Sequence, residues 1–212
     1  AQQADVIVLA VKPQVMAAVC QELAASLGER RPLLISIAAG INLAALTSWF
    51  GSDASLVRCM PNTPALVGSG ASGLFANAQV DSGQREIANA LMSAVGLALW
   101  VDKETQIDSV TALSGSGPAY FFLMLEAMQD SAVKLGLSPE VAKALSYQTA
   151  LGAAQLALAS SETTEQLRRN VTSPNGTTER AINAFEEGDL RGLVDSALKA
   201  AHARSIELAE EN

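Results

Sequence analysis

The run Val171-Thr-Ser-Pro-Asn-Gly-Thr-Thr178 carries the residues best suited to hold a small anion. Asn175-Gly176 supplies positive φ, Thr177 and Thr178 open a helix, and the free backbone N–H groups of a helix start attract a carboxylate. The same letters also spell an ordinary Asn-Gly turn with a threonine cap. Three further segments follow a different logic. Ala10-Val-Lys12-Pro13 and Ser36-Ile-Ala-Ala-Gly40 each end an apolar β-rich run, and ligands of open α/β sheets bind beyond the carboxyl ends of such strands. Small, backbone-exposing residues side by side there suit a flat ring or a phosphate, although each segment alone also reads as a strand terminator. Arg58-Cys-Met-Pro-Asn-Thr-Pro64 adds a turn held extended by two prolines at a third strand end. Ser114-Gly-Ser-Gly-Pro118 precedes a helix and reads either as a domain hinge with a cap or as a point where backbone approaches a ligand closely.

Other constellations carry less. Gly68-Ser-Gly70-Ala-Ser-Gly73 matches a dinucleotide fingerprint letter for letter, but that fingerprint works only between a strand and a helix whose N-terminus faces a pyrophosphate. Here a Pro-Asn-Thr-Pro turn lies upstream and Leu74-Phe-Ala-Asn77 is extended in character, so a glycine-rich turn leading into a twisted strand is expected. His202 is the single histidine and has no partner at triad or metal spacing. Cys20 and Cys59 are too few and too isolated for a disulfide framework or a metal site.

These segments must be positioned by two kinds of structure. Asp5 to Val11, Leu33 to Ile37 and Ser55 to Cys59 are short apolar runs typical of parallel strands buried on both faces. Helices are expected between them, from Pro13 to about Leu27 and from an Asn42 cap to Phe50. The βαβαβ alternation implies a parallel α/β sheet. Asp81-Ser-Gly-Gln84 has capping-box spacing before a helix to Val95, and Leu97 to Val101 forms a last strand. Beyond Lys103 the period becomes helical, with helices expected over Pro118–Leu135, Pro139–Ala159, Thr164–Asn170, Thr177–Glu187 and Leu190–Glu211. The division is 1–103 for the α/β domain and 104–212 for an all-α domain. Ala119 to Leu125 is apolar on every side and Gly152 to Ala159 is rich in small residues. Such helices must be enclosed, and a subunit interface is the expected cover.

Composition narrows the partners. Residues 1–103 carry 6 basic and 7 acidic side chains and residues 104–212 carry 8 and 15, giving the net charge of −8. With aromatics at only 4%, neither a basic patch nor an aromatic platform for nucleic acid is expected, nor attraction to anionic lipid. No apolar run approaches the ~18 residues of a membrane span. A reducing, cytoplasmic setting with two buried thiols is expected. The chain opens on Ala1 with a strand-like run already at Val6, which reads as a chain whose start is missing.

Ala10-Val-Lys-Pro, Ala38-Ala-Gly, Met60-Pro-Asn-Thr-Pro, Thr111-Ala-Leu-Ser-Gly-Ser-Gly-Pro-Ala-Tyr120 and Val171-Thr-Ser-Pro-Asn-Gly-Thr-Thr178 occur in this order, and through them the chain resembles pyrroline-5-carboxylate reductases along its whole length. The resemblance implies an N-terminal Rossmann domain and a helical domain that interlocks with that of a second subunit, as an intertwined homodimer or a ring of dimers. It implies NAD(P)H-dependent reduction of the C=N bond of pyrroline-5-carboxylate to L-proline, with NADPH or NADH as cofactor and no metal. In that family Ala10, Val11, Lys12, Pro13, Ala38 and Ala39 would line the cofactor, with Asn62, Thr111 and Ser116 nearer the nicotinamide. Ser173, Gly176 and Thr177 would hold the substrate carboxylate, and the Thr178 hydroxyl would bond the ring nitrogen. Asn175 departs from the family's usual glycine, but asparagine tolerates the left-handed region best among other residues. The first strand, the phosphate-binding turn and the cofactor-choosing loop of the family do not appear, which implies weak cofactor binding by this stretch alone. Two rivals are a β-hydroxyacid dehydrogenase, with Lys134 or Lys143 as its helical lysine, and a non-catalytic oligomeric helical scaffold.

Overall fold

In the computed structural model, which describes residues 3–211, the chain forms two compact units. One comprises residues up to Pro118 together with those from Ala197 onward; the other is Ala119–Ser196.

The first unit is built on a five-stranded sheet in the order β1 (Val6–Leu9), β2 (Leu33–Ser36), β3 (Leu56–Met60), β4 (Gly70–Ala76) and β5 (Gly96–Trp100). Every residue of β2 is buried, as expected for an apolar strand between parallel neighbours. Leu34 pairs with Leu56 and Ile35 with Val57, and these alternate sides feed two cores. Helices α1 (Pro13–Leu27) and α2 (Leu43–Phe50) cover one face through Met16, Cys20 and Leu46, which pack with Leu34 and Leu56. Helix α3 (Ser82–Ser93) covers the other through Ala88 and Met92, which pack with Ile35, Val57, Cys59 and Leu74. Both cysteines are buried and free.

The local signals that start these helices act as the side chains dictate. Pro13 opens α1, Asn42 accepts a hydrogen bond from the Ala45 amide, and Asp81 and Gln84 form a reciprocal capping box.

The sheet departs from an all-parallel one at β4, which runs antiparallel to β3, while β5 runs parallel to β4. The reason is chain length. Residues 61–69 contain only a 3₁₀ turn, Thr63–Val67, whereas a parallel crossover needs about a dozen residues or more. Gly68 adopts φ 70° at the end of that turn, and Gly70–Ala76 is strand, so the glycine-rich run leads into no helix.

Past β5, short helix α4 (Gln106–Val110) continues into a π-helical turn, Thr111–Gly115, and then into α5 (Gly117–Lys134). Ser114–Pro118, which read either as a hinge with a cap or as a point of close backbone approach, is helical apart from a bend at Ser116; the first unit ends at Pro118, and the small residues allow close packing. A Cβ on Gly115 would meet the Met60 methyl at 2.6 Å, and one on Gly73 would meet Val110 at 2.7 Å.

The helical unit contains most of α5, then α6 (Pro139–Ala159), α7 (Thr164–Asn170), α8 (Thr177–Glu187) and the first part of α9 (Leu190–Glu210). Its apolar surface is largely uncovered within the chain. Phe121, Phe122 and Leu123 are 70%, 64% and 67% exposed, and Leu145, Leu151 and Leu158 on α6 are exposed as well.

Candidate active site

Parallel pairing of β1, β2 and β3 brings their carboxyl ends out side by side. The Ile37 amide donates to the Leu9 carbonyl at 3.1 Å, which sets Ala38 and Ala39 beside the segment that begins at Ala10. Ala10, Val11 and Lys12 are exposed, Pro13 and Ala39 are half-buried, and Ala38 is buried. Lys12 occupies the N-cap of α1 in an extended conformation with no side-chain cap. Pro13 has no amide and the Val15 amide donates to the Lys12 carbonyl at 3.1 Å, so in the first turn it is the Gln14 amide that is left for a group other than a side-chain cap.

Asn62 lies just past β3, and its amide group is fixed from two sides. It donates to the Ser114 carbonyl at 3.0 Å and accepts from the Ala71 amide at 2.9 Å. These bonds assign the amide orientation and leave one N–H of Asn62 for a further acceptor. They also tie the end of β3 to the π-helical turn that carries Thr111 and to Ser116, which follows it. The Thr111 hydroxyl donates to the Ile107 carbonyl at 2.8 Å, and the Ser116 amide donates to the Thr111 carbonyl at 2.8 Å. With its hydrogen engaged, the Thr111 hydroxyl can only accept from another group. Asn62, Thr111 and Ser116 thus share one braced structure in the α/β unit.

Beneath them lies a polar cluster that the sequence reading did not single out. Arg58 of β3 is buried; its guanidinium reaches Glu104 at 3.2 Å and Asp108 at 3.8 Å. Glu104 also accepts from the Leu43 amide at 2.7 Å, and Asp108 accepts from the Ser205 hydroxyl of α9 at 2.7 Å. An arginine inside the apolar run Leu56-Val-Arg-Cys was the available signal, because a charge in a strand buried on both faces demands ionic partners.

Ser173, Gly176, Thr177 and Thr178 belong to the helical unit. The Gly176 amide donates to the Ser173 carbonyl at 3.0 Å, closing a turn whose third residue, Asn175, has φ 60°. Gly176 is then the N-cap of α8 and has no side chain with which to cap it. The first helical bond is made by the Arg180 amide to the Gly176 carbonyl, so the amides of Thr177, Thr178 and Glu179 precede the helical ladder. Such a helix start, with the dipole adding partial positive charge, suits a carboxylate.

The alternative lysines have no comparable setting. Lys134 ends α5, and Lys143 on α6 lies over the Tyr147 ring at 5.8 Å. Among the described residues no group of His, Cys, Asp and Glu side chains could hold a metal ion. No helix among them is long and apolar enough to cross a membrane.

Comparison with known proteins agrees with this layout. Residues 104–208 match the family described as pyrroline-5-carboxylate reductase dimerisation, and residues 1–40 match that described as NADP oxidoreductase coenzyme F420-dependent. A pyrroline-5-carboxylate reductase of Pseudomonas aeruginosa is 61% identical over 98% of this chain and 76% of its own. A solved pyrroline-5-carboxylate reductase from Coxiella burnetii superposes with a TM-score of 0.94 at 50% identity, over 98% of this chain and 77% of that one. The Plasmodium falciparum pyrroline carboxylate reductase, solved with NADP bound, gives 0.90 at 35% identity, over 98% and 78%. Identity at that level over nearly the whole chain, across both the sheet and the helices, shows that the chain belongs to the pyrroline-5-carboxylate reductase family.

Proposed function

We infer that this chain is an NAD(P)H-dependent oxidoreductase that reduces the C=N bond of 1-pyrroline-5-carboxylate to give L-proline. The observation that carries the chemistry is the Ser173–Gly176 turn feeding an α8 start that has no side-chain cap. It offers a small carboxylate a set of fixed amides at a helix start. Ser173, Gly176 and Thr177 bind that carboxylate, and the Thr178 hydroxyl hydrogen-bonds the ring nitrogen.

NAD(P)H, when bound, supplies the hydride that adds to the imine carbon while the former π pair stays on nitrogen, which ends protonated as the amine. The residues present fit such a group. The exposed backbone of Ala10–Lys12, the small Ala38 and Ala39, and the uncapped start of α1 suit a flat ring or a phosphate at the strand ends. Asn62 keeps one N–H and Thr111 its acceptor capacity toward the nicotinamide, and Ser116 lines the same region. The protein's task is binding and orientation, so few titrating groups are required.

In the division expected from the sequence, 1–103 binds the nucleotide and 104–212 dimerises and binds substrate, with Thr111 and Ser116 joining the nucleotide side because residues up to Pro118 belong to the sheet unit. A second copy covers the exposed α5 and α6 surfaces in an intertwined homodimer, which can build into a ring of dimers. Two buried, unpaired thiols support a cytoplasmic setting.

Steady-state kinetics on two variants tests the site. Thr178→Ala lowers kcat/KM about 10- to 1,000-fold, on the scale of a lost oriented donor and less than for an oxyanion contact. Ser173→Ala mainly raises KM, because a carboxylate contact exists in both ground and transition states. Unchanged kcat/KM in the Thr178 variant would reduce that hydroxyl to a helix cap.

A further inference from the structure

The substrate loop contains one bond that neither the turn nor the helix requires. The Glu179 carboxylate, in the first turn of α8, accepts from the Asn175 amide at 2.8 Å. In an ordinary capping box the acidic residue at this helical position reaches back to the amide of the N-cap itself. Here the N-cap amide, that of Gly176, is already engaged with the Ser173 carbonyl, so Glu179 reaches one residue further back, to Asn175. The result is a closed ring of backbone and side chain running from Ser173 through Asn175 and Gly176 to Glu179.

Asn175 is where such a brace has the most to do. It is one of two non-glycine residues with positive φ among those described, and L side chains adopt that region rarely. An asparagine there can relax to other conformations, and any relaxation would swing Gly176 and the amides of Thr177 and Thr178 out of line. A carboxylate bonded to the Asn175 amide blocks that movement.

We propose that Glu179 is a positioning residue for substrate: its bond to the Asn175 amide locks the Ser173–Thr178 loop in the form that receives the substrate carboxylate. The proposal rests on the reading of that loop as the carboxylate site, and it concerns binding rather than the hydride step. Glu179 does not itself touch the substrate.

Three variants of the purified enzyme test it: Glu179→Ala, Glu179→Gln and Ser173→Ala, each with steady-state kinetics in both substrates and a thermal unfolding curve. Removing one such bond should raise KM for pyrroline-5-carboxylate roughly tenfold, as loss of about 1.4 kcal/mol would. kcat and the KM for NADPH should change less than about twofold, because the lost contact is equally present in the ground and transition states. Glu179→Gln keeps an acceptor oxygen at the same reach and should return KM to near the parent value. If Glu179→Ala leaves KM unchanged while Ser173→Ala raises it, the loop binds substrate without this brace and the proposal falls alone. If Ser173→Ala leaves KM unchanged, the carboxylate reading falls and takes the proposal with it. Failure of Glu179→Gln to rescue a raised KM would show that charge, not the bond, matters, and overturns the assignment. A general loss of helix stability would lower the unfolding temperature and the active fraction without shifting KM.

Discussion

Replacing Arg58 with methionine should destabilise the chain more than any surface change. The arginine side chain is 4% exposed, its partner Asp108 is 12% and Glu104 is 28%. Methionine fills most of the space but leaves Asp108 nearly buried with only the Ser205 hydroxyl identified on its carboxylate. Breaking a buried pair from one side typically costs about 3–5 kcal/mol, since the remaining charge loses its compensation. The long 3.8 Å contact to Asp108 and the partial exposure of Glu104 place this case near the lower end, at about 3 kcal/mol. For a chain of this length that is a fall of roughly 6–12 °C in unfolding temperature. Adding Asp108→Asn should recover part of the loss, because the amide oxygen still accepts from Ser205 and the more deeply buried charge is removed, leaving only the partly exposed Glu104, which still accepts from the Leu43 amide. Urea unfolding of the parent, Arg58→Met and Arg58→Met/Asp108→Asn at one fixed protein concentration measures both effects, the concentration being held constant because self-association contributes to apparent stability. A cost below about 1 kcal/mol for the single variant, or a double variant less stable than the single, would refute the account of a mutually dependent buried cluster. Activity should fall in parallel with stability, because α4, held by Glu104 and Asp108, runs directly into the turn that carries Thr111.

Asp81→Ala removes the acceptor for the Gln84 amide and half of the capping box on α3, and should cost about 1 kcal/mol by the same urea assay. Burial pushes the Cys59 thiol up to about 12 and the Cys20 thiol up to about 11, from an ordinary 9.0, with the Ser72 hydroxyl partly opposing the shift at Cys59. The folded chain therefore keeps protons that the unfolded chain loses, so the thiol contribution is intact below pH 9, declines as pH rises from there, and is lost above about 12. Correspondingly, a thiol reagent at pH 8 should react with both cysteines only after unfolding, and rapid reaction of either in the folded protein would contradict their burial. Leu123→Glu on the exposed face of α5 should shift light scattering toward monomer at micromolar concentration, whereas an unchanged mass would remove that face from the interface.

Much of this protein is legible in the residues alone, and the legible parts have local causes. Proline at a first helical position, Asn42 and the Asp81/Gln84 pair act within one turn of chain, so α1, α2 and α3 begin where those letters stand. Helices α6 and α7 follow the same rule, starting after the side-chain caps Ser138 and Thr163, whereas α8 starts after Gly176 with no side-chain cap. The motif blocks and their order were enough to point to the family, and the Asn-Gly turn before α8 was foreseeable from two residues, although Asn175 alone takes positive φ and Gly176, at φ −81°, is an extended N-cap.

What the sequence left open depends on residues far apart in the chain. The reversal of β4 arises because a short link after β3 cannot make a crossover, and no letter within Gly70–Ala76 encodes strand direction. Ser114–Pro118 reads as a hinge or as a point of close backbone approach because its residues are small; it is mostly helical, with Met60 and Asn62, more than fifty positions earlier, packing and bonding against it. Arg58, Asp108 and Ser205 are unremarkable singly and become a cluster only when β3, α4 and α9 meet, the serine lying 97 positions from the aspartate. Short-range rules decide where elements begin and end because the groups involved are covalently held within reach. Strand direction and buried polar pairing are decided only by folding, which brings distant groups out of water and obliges each to find a partner there.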